Sequence, residues 1–347
     1  MKTALITGIT GQDGAYLAEF LIKRGYKVYG TYRRTSTPSF WKLEHLAIRN
    51  KLQLISADLV DTGSIMNALL LSDPDEVYHL AAQSFVEASF DQPTATGDVT
   101  GLSVVRILDA IKLLKPKAKF YQASSSEMFG DGVKNSQDEA TPFRPTSPYA
   151  AAKVYGYWIT RIYREAHKIF ACNGILFNHE SPLRGLEFVT RKVTNGVAMV
   201  KLGYAKELKL GNLDALRDWG YAPEYIASMW KMLQQDSPDD FVIATGEQHT
   251  VRELVEIAFS KAGLDWQDYV VIDKRLFRPL EVPSLRGDYK KAERQLDWKP
   301  KTRFRDLVEL MVQADLDRWR RALNGEVFPW DVANMVSDTK SKRLGTT

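Results

Sequence analysis

The stretch TALITGITGQDG, at residues 3–14, decides the fold of this chain. An apolar strand at residues 3–7 runs into three glycines, Gly8, Gly11 and Gly14, and an amphipathic run follows up to Arg24. Glycines let a backbone approach a pyrophosphate closely, and the N–H groups at a helix N-terminus bind anions. A strand, a glycine-rich turn and a helix in this order predict the first unit of an α/β fold, a doubly wound parallel sheet that binds a dinucleotide.

The end of the second predicted strand, residues 27–32, bears on the choice of cofactor. Arg33 and Arg34 follow it directly. A carboxylate here would bind the ribose 2′-hydroxyl of NAD, whereas guanidinium groups suit the 2′-phosphate of NADP. The two arginines therefore favour NADP, and the alternative interpretation is a pair of solvated turn arginines.

Three further strands are predicted at residues 52–55, 76–80 and 118–123, with a long helix from about Thr94 to Leu114. The first of these strands ends near Asp58. That carboxylate either accepts from the adenine amino group or caps the helix that starts near Asp61. His79, within a strand, is interpreted as a structural histidine.

The residues that carry chemistry follow the fifth predicted strand. Ser125 and Glu127 stand at its carboxyl end, where ligands bind in open α/β sheets. Tyr149 and Lys153 are four residues apart and share one face of the next helix. A lysine beside a tyrosine favours the phenolate, which can then take a proton from a hydroxyl while its carbon gives up a hydride.

Composition narrows the class of protein. The net charge of +4 is too small to indicate a nucleic-acid partner, and no apolar run approaches the ~20 residues that cross a membrane. The single cysteine, Cys172, excludes a disulfide within the chain and is interpreted as a buried, inert thiol, in line with a cytoplasmic location. The histidines and the cysteine show no metal-ligand spacing, so no metal is expected.

These motifs resemble a known family. The glycine pattern with Tyr149 and Lys153 is similar to that of extended short-chain dehydrogenase/reductases. Within them the chain closely resembles the GDP-mannose 4,6-dehydratases, from Lys2 to about Leu316. The longest matching runs are GITGQDG at 8–14, LAAQS at 80–84, FYQAS at 120–124, GILFNHESP at 174–182 and RDWG at 217–220.

The resemblance implies an NADP-dependent lyase that converts GDP-mannose to GDP-4-keto-6-deoxymannose. It implies catalytic roles for Ser125, Glu127, Tyr149 and Lys153. It implies cofactor contacts from Gly8, Thr10, Gly11, Gln12, Asp13, Gly14, Arg33, Arg34, Asp58, Leu59, Leu80, Ala82, Ser84, Tyr149, Lys153, Leu176, Asn178, His179 and Arg184. It implies GDP-sugar contacts from Ser84, Ser125, Glu127, Asn178, Lys192, Arg217, Arg278 and Glu281.

Departures from the family pattern keep alternatives open. Ser125 replaces a usual threonine, and Leu183, Leu216 and Pro283 replace common polar residues. The same chemistry on GDP-manno-heptose is one alternative, and a GDP-4-keto-6-deoxy-sugar reductase or epimerase is another. A protein that senses NADP without catalysis is an alternative of a different class.

The predicted elements and the resemblance also indicate domain boundaries. We expect a Rossmann-type NADP domain at residues 1–177, to which residues of about 206–245 return. A smaller α/β domain at 178–323 mainly binds the GDP-sugar, and 324–347 form a C-terminal extension. The resemblance implies a homo-oligomer, either a dimer or a homotetramer.

Overall fold

The computed structural model describes residues 1–36, 38–131, 136–277, 280, 282 and 284–326. Its strands are β1 (Thr3–Thr7), β2 (Lys27–Tyr32), β3 (Gln53–Ser56), β4 (Glu76–His79), β5 (Lys119–Ser125), β6 (Ala171–Leu176), β7 (Asn178–Glu180), β8 (Leu208–Leu210), β9 (Leu216–Arg217), β10 (Trp219–Tyr221), β11 (Phe241–Ile243), β12 (His249–Thr250) and β13 (Val270–Ile272). Its α-helices are α1 (Gln12–Ile22), α2 (Trp41–His45), α3 (Thr62–Ser72), α4 (Ala88–Asp91), α5 (Pro93–Thr96), α6 (Ser103–Leu114), α7 (Pro148–His167), α8 (Val189–Lys201), α9 (Ala222–Leu233), α10 (Val251–Lys261), α11 (Lys290–Leu296) and α12 (Phe304–Leu323).

Seven of these strands form one sheet in the order β11-β6-β5-β4-β1-β2-β3. Each neighbouring pair is parallel. Strand order reverses beside β1, so the carboxyl ends of β1 and β4 flank the switch point where dinucleotides bind in such sheets. The predicted doubly wound sheet is confirmed.

Both faces of this sheet are covered, as β1 illustrates. Ala4 and Ile6 belong to one buried apolar cluster together with residues of α1 and α9. Leu5, between them in sequence, belongs to a second cluster with residues of α3 and α6. Successive side chains of a strand point to opposite faces, so an uninterrupted apolar run is what a sheet covered on both faces requires.

The chain divides into two compact units. The first comprises residues 1–179, 217–248 and 280–301, and it contains the whole seven-stranded sheet. The second comprises residues 180–216, 249–279 and 302–347. Within the second unit β8 pairs in parallel with β13, and a buried salt bridge of 2.8 Å joins Arg191 of α8 to Asp315 of α12.

Two segments differ from the domain boundaries expected above. Residues 280–301 belong to the first unit because Leu296 and Trp298 lie in its core cluster, and the indole of Trp298 donates to the Glu224 carbonyl at 2.8 Å. Residues 206–216 belong to the second unit because β8 pairs with β13 there. Of the C-terminal extension, only residues 324–326 lie within the described residues.

Candidate active site

The glycine-rich stretch that runs from β1 into the first turn of α1 leaves no space for side chains at two of its positions. Gly8 has φ +73°, and a Cβ there would lie 2.8 Å from the Ala81 Cα. A Cβ at Gly14 would lie 2.4 Å from the Gly8 carbonyl oxygen. Gly11 caps α1 without a side-chain acceptor. A bare backbone at a helix N-terminus fits the pyrophosphate of a dinucleotide.

A buried hydrogen-bond chain fixes the ends of β1 and β4 beside that loop. The Thr7 hydroxyl accepts from the N–H groups of Leu80 and Ala81 at 3.2 Å and lies 2.8 Å from His79 Nδ1. His79 Nε2 lies 3.1 Å from the Ser103 hydroxyl. Burial and the charge of Lys153 lower the pKa of His79 to about 3, so the imidazole is neutral. Because the Thr7 oxygen already accepts two N–H bonds, its own proton is directed to Nδ1, and Nε2–H of the neutral ring then donates to Ser103. This agrees with the structural role predicted for His79.

Three residues assigned to the cofactor, Arg33, Arg34 and Asp58, follow the ends of β2 and β3. Arg33 and Arg34 follow β2 and are exposed, and neither guanidinium has an ion-pair or hydrogen-bond partner in the part of the chain that the structure describes. Asp58 follows β3, and its carboxylate accepts from the Val60 N–H at 3.2 Å. Asp61, not Asp58, caps α3 by accepting from Gly63 and Ser64. The capping alternative for Asp58 is therefore wrong.

Ser125 and Glu127 lie where β5 ends in a single 3₁₀ turn, Ser126–Phe129. The Ser125 hydroxyl accepts from the Glu127 N–H at 3.2 Å. The Glu127 side chain is buried in this unit, with a relative exposure of 7%. This hydrogen bond fixes the Ser125 hydroxyl relative to the main chain of Glu127.

A buried polar chain supports the end of β5 from the neighbouring strand. The Ser124 hydroxyl donates to the Asn173 side-chain oxygen at 3.2 Å, and the Asn173 amide donates to Asp240 at 2.9 Å. Arg164 holds the same carboxylate with two hydrogen bonds of 2.8 and 2.9 Å. Sequence reasoning missed this chain, since its members are spread over four separate segments.

Tyr149 and Lys153 lie in the first turns of α7, whose N-cap Ser147 accepts from the Ala150 N–H at 3.1 Å. Both side chains are buried, and Lys153 Nζ lies 5.7 Å from the centre of the Tyr149 ring. The Lys153 ammonium donates to the Ala123 carbonyl at 2.6 Å. Burial lowers the pKa of Lys153 to about 8, and the negative charge of Asp13 opposes that shift.

Five more residues assigned to the cofactor lie at the start of α1 or in the segment that ends β6 and begins β7. His179 Nε2 lies 2.7 Å from the Asp13 carboxylate. The Gln12 amide donates to Asp13 at 3.0 Å and to the His179 carbonyl at 3.1 Å. Leu176 ends β6, and Asn178 begins β7 next to His179. The structure thus brings the start of α1 together with the segment after β6.

The residues assigned to the GDP-sugar are less concentrated. Lys192 lies in the second unit. Arg184, which is assigned to the cofactor, also lies there and forms a salt bridge of 3.1 Å with Glu180. Arg217 lies in the first unit, is buried, and donates to the Val282 carbonyl at 2.7 Å. Ser84 is exposed after β4. Arg278 and Glu281 lie outside the described residues, as does Pro283, one of the departures from the family pattern.

Asp218 is a buried carboxylate that sequence reasoning did not single out. It accepts from the Thr245 N–H at 2.8 Å, the Thr245 hydroxyl at 2.6 Å, the Gly246 N–H at 2.9 Å and the Gly287 N–H at 3.2 Å. Burial raises its pKa to about 6 although these donors favour the charged form. Its only sequence signal is its position next to Arg217, within the matching run RDWG.

The fold and this site define a class. A parallel sheet with the observed strand order, a glycine-rich loop after β1 and a Tyr-x-x-x-Lys pair on α7 are features of the short-chain dehydrogenase/reductases. More narrowly, the chain belongs to the GDP-mannose 4,6 dehydratase family, whose model matches residues 5–311.

Individual relatives agree with this assignment. The chain is 50% identical over 330 residues to GDP-mannose 4,6 dehydratase 1 of Arabidopsis thaliana, covering 92% of this chain and 91% of that protein. It is 48% identical over 344 residues to GDP-mannose 4,6 dehydratase of Cricetulus griseus, covering 92% of each. Its fold is similar to that of dTDP-glucose 4,6-dehydratase from Bacillus anthracis in complex with NAD, with a TM-score of 0.80 at 19% identity over 92% of this chain and 98% of that one.

No helix within the described ranges is long and apolar enough to cross a membrane. Cys172 is buried, and burial raises the pKa of its thiol to about 12, in agreement with the inert thiol predicted from the sequence.

Proposed function

We propose that this protein dehydrates GDP-mannose to GDP-4-keto-6-deoxymannose with NADP as a recycled cofactor. The observation that carries the proposal is the crowding of functional groups at the end of β5. The Ala123 carbonyl holds Lys153 at 2.6 Å, and Ser125 and the buried Glu127 follow within the same few residues. A reductase or a 4-epimerase needs the Tyr149–Lys153 pair but no carboxylate at the position of Glu127.

The residues fit a nicotinamide dinucleotide. The loop at Gly8 and Gly14 excludes side chains, and the exposed Arg33 and Arg34 suit the 2′-phosphate that distinguishes NADP from NAD. Bound NADP would take a hydride from C4 of the sugar and return it to C6.

The protein groups in this scheme move protons, and Glu127 acts first as a base and then as an acid. Tyr149, as a phenolate stabilised by the Lys153 ammonium, takes the proton of the C4 hydroxyl. Glu127 removes the C5 proton, which the C4 ketone acidifies, and with the Ser125 hydroxyl protonates the C6 hydroxyl as it leaves. Proton transfers of this kind contribute about 10²–10⁴-fold each. Once C6 has received the hydride, C5 takes up a proton, which balances the proton that Tyr149 removed from the C4 hydroxyl. The overall reaction is the loss of one water.

We propose that Asn178, Arg217 and Lys192 bind the GDP-sugar, with Ser84 near the sugar. Arg278 and Glu281, outside the described residues, would bind the diphosphate and the ribose hydroxyls. The first unit is then mainly the NADP domain and the second mainly the GDP-sugar domain, and a homo-oligomer is the proposed assembly.

Product analysis tests the reaction. The purified protein with NADP is incubated separately with GDP-mannose and with GDP-manno-heptose, and the masses of the products are measured by mass spectrometry. Loss of one water from GDP-mannose without net formation of NADPH is expected. Loss of water from the heptose alone would retain the mechanism and change the substrate.

The Glu127→Gln variant separates a dehydratase from a reductase or an epimerase. Glutamine keeps the volume of the side chain and removes its ability to take the C5 proton, so we expect elimination to stop while cofactor binding persists. A variant that eliminates water at the wild-type rate, or a wild-type protein that dehydrates neither sugar, contradicts the proposal.

A further inference from the structure

His179 connects two separate parts of the first unit through its imidazole ring. Its Nδ1 lies 2.7 Å from the Phe177 carbonyl oxygen, and its Nε2 lies 2.7 Å from Asp13 Oδ2. Asp13 lies in the first turn of α1, directly after the glycine-rich loop. The two side chains retain only 11% and 22% exposure, so solvent weakens their interaction little.

The acceptors on either side determine the protons on the ring. A backbone carbonyl only accepts, so the contact with Phe177 requires a proton on Nδ1. An ionised carboxylate also only accepts, so the contact with Asp13 requires a second proton on Nε2. With both nitrogens as donors, His179 would be an imidazolium and Asp13 its counterion.

The surroundings of the pair support charge separation over neutralisation. The Gln12 amide donates a further hydrogen bond of 3.0 Å to Asp13, which favours the carboxylate. On the ring face, Tyr225 of α9 stacks at 4.8 Å between centroids. Two other titratable groups that respond to Asp13 are Lys153 of α7 and Tyr121 of β5, and the charge of Asp13 raises the pKa of each.

We propose that the His179 imidazolium is a positioning residue that neutralises Asp13 and thereby allows the glycine-rich loop to accept an anionic dinucleotide. The inference rests on the proposed dinucleotide site. A carboxylate in the first turn of a helix competes with a pyrophosphate for the same positive end of that helix. Pairing Asp13 with a cation removes this repulsion, and the Gln12 and Phe177 contacts hold both partners in place.

The protonation state is tested on the cofactor-free protein. Of its five histidines, the ring signals of His179 in ¹⁵N-histidine-labelled protein are assigned by their loss in His179→Gln. We expect both ring nitrogens of His179 to be protonated at pH 7, while His79 supplies an internal neutral reference. In Asp13→Asn, His179 should become neutral and keep its proton on Nδ1. An unprotonated Nε2 in the wild-type protein at pH 7 overturns the inference.

The functional consequence is tested through NADP affinity, measured by calorimetry at low salt. We expect His179→Gln to weaken binding about tenfold, because it leaves Asp13 unneutralised. The double variant Asp13→Asn/His179→Gln should regain most of that loss, since it removes the repelling charge as well. Loss of a merely structural contact would instead make the double variant at least as weak as His179→Gln.

The control is His249→Gln, which removes the imidazole of another histidine–carboxylate pair, His249 and Glu253 at 2.9 Å in the second unit. It should bind NADP as the wild type does. A wild-type protein that binds no NADP would reject the proposed function, and the labelling experiment would still test the ion pair. Wild-type affinity in His179→Gln, or no recovery in the double variant, would reject the inference.

Discussion

The Lys153 ammonium donates a hydrogen bond of 2.6 Å to the main-chain carbonyl of Ala123, two residues before Ser125. This bond joins the start of α7 to the end of β5. The groups proposed to move the hydride and the groups proposed to eliminate water are therefore held by one contact. A shift of either element would disturb both steps.

The pH dependence of turnover should report Lys153. Burial lowers its pKa to about 8, so the side chain is an ammonium below that pH and neutral above it. Because the charged form stabilises the Tyr149 phenolate, we expect kcat/KM to fall as pH rises above about 8. In Lys153→Met, kcat/KM should fall about 10²–10⁴-fold at pH 7. Lys117 is exposed, and Lys117→Met should match the wild type. A flat profile up to about pH 9.5 would exclude this role.

The hydroxyl oxygen of Ser125 should contribute to kcat. It accepts from the Glu127 N–H at 3.2 Å, and Ser125→Ala leaves that donor without its acceptor. We expect kcat to fall about tenfold or more with little change in KM. Ser125→Thr keeps the oxygen and should restore most of kcat, so equal rates for the two variants would refute the assignment.

Cofactor preference should depend on Arg33 and Arg34. Removing two exposed guanidinium groups from the end of β2 should weaken NADP binding about tenfold or more and leave NAD binding unchanged. The dissociation constants of both cofactors are compared in the double alanine variant, with the exposed Lys51→Ala as control. Equal losses for NAD and NADP would show that the arginines do not contact the 2′-phosphate.

Gly8 and Gly25 have similar φ angles, so their alanine variants distinguish backbone strain from steric exclusion. Gly8 has φ +73° and Gly25 has φ +78°, but a Cβ at Gly8 would meet Ala81 at 2.8 Å, whereas one at Gly25 would meet nothing within 4 Å. Gly25→Ala should therefore cost about 1 kcal/mol of stability and keep NADP binding. Gly8→Ala should also lose NADP binding. If both variants bind NADP equally well, the loop is not the dinucleotide cradle.

The buried Asp218 should be important for stability. Asp218→Asn replaces one of the oxygens that together accept four hydrogen bonds from Thr245, Gly246 and Gly287, and we expect a loss of about 3 kcal/mol with a lower melting temperature. The exposed Asp214→Asn removes a surface partner of Arg252 and should change stability by less than about 0.5 kcal/mol. Similar melting temperatures for the two variants would rule out Asp218 as a structural centre.

One predicted element is more complex than its sequence pattern suggests. The helix predicted from Thr94 to Leu114 contains a π-helical segment, Gly97–Leu102, between α5 and α6. A Cβ at Gly101, in this segment, would lie 3.4 Å from the Ala152 carbonyl of α7. The wide turn arises at a contact with another helix, so the periodicity of the segment itself does not reveal it.

The sequence by itself determined the elements whose cause is local. A glycine-rich turn between a strand and a helix, arginines after β2, and Tyr149 four residues before Lys153 are readable because each depends on neighbouring residues. The tertiary structure alone decided which distant groups meet. It joined Lys153 to Ala123 across 30 positions, His179 to Asp13 across 166, and Asp218 to Gly287 across 69. Such contacts depend on how strands and helices pack, and burial then sets the charges of the groups that packing brings together.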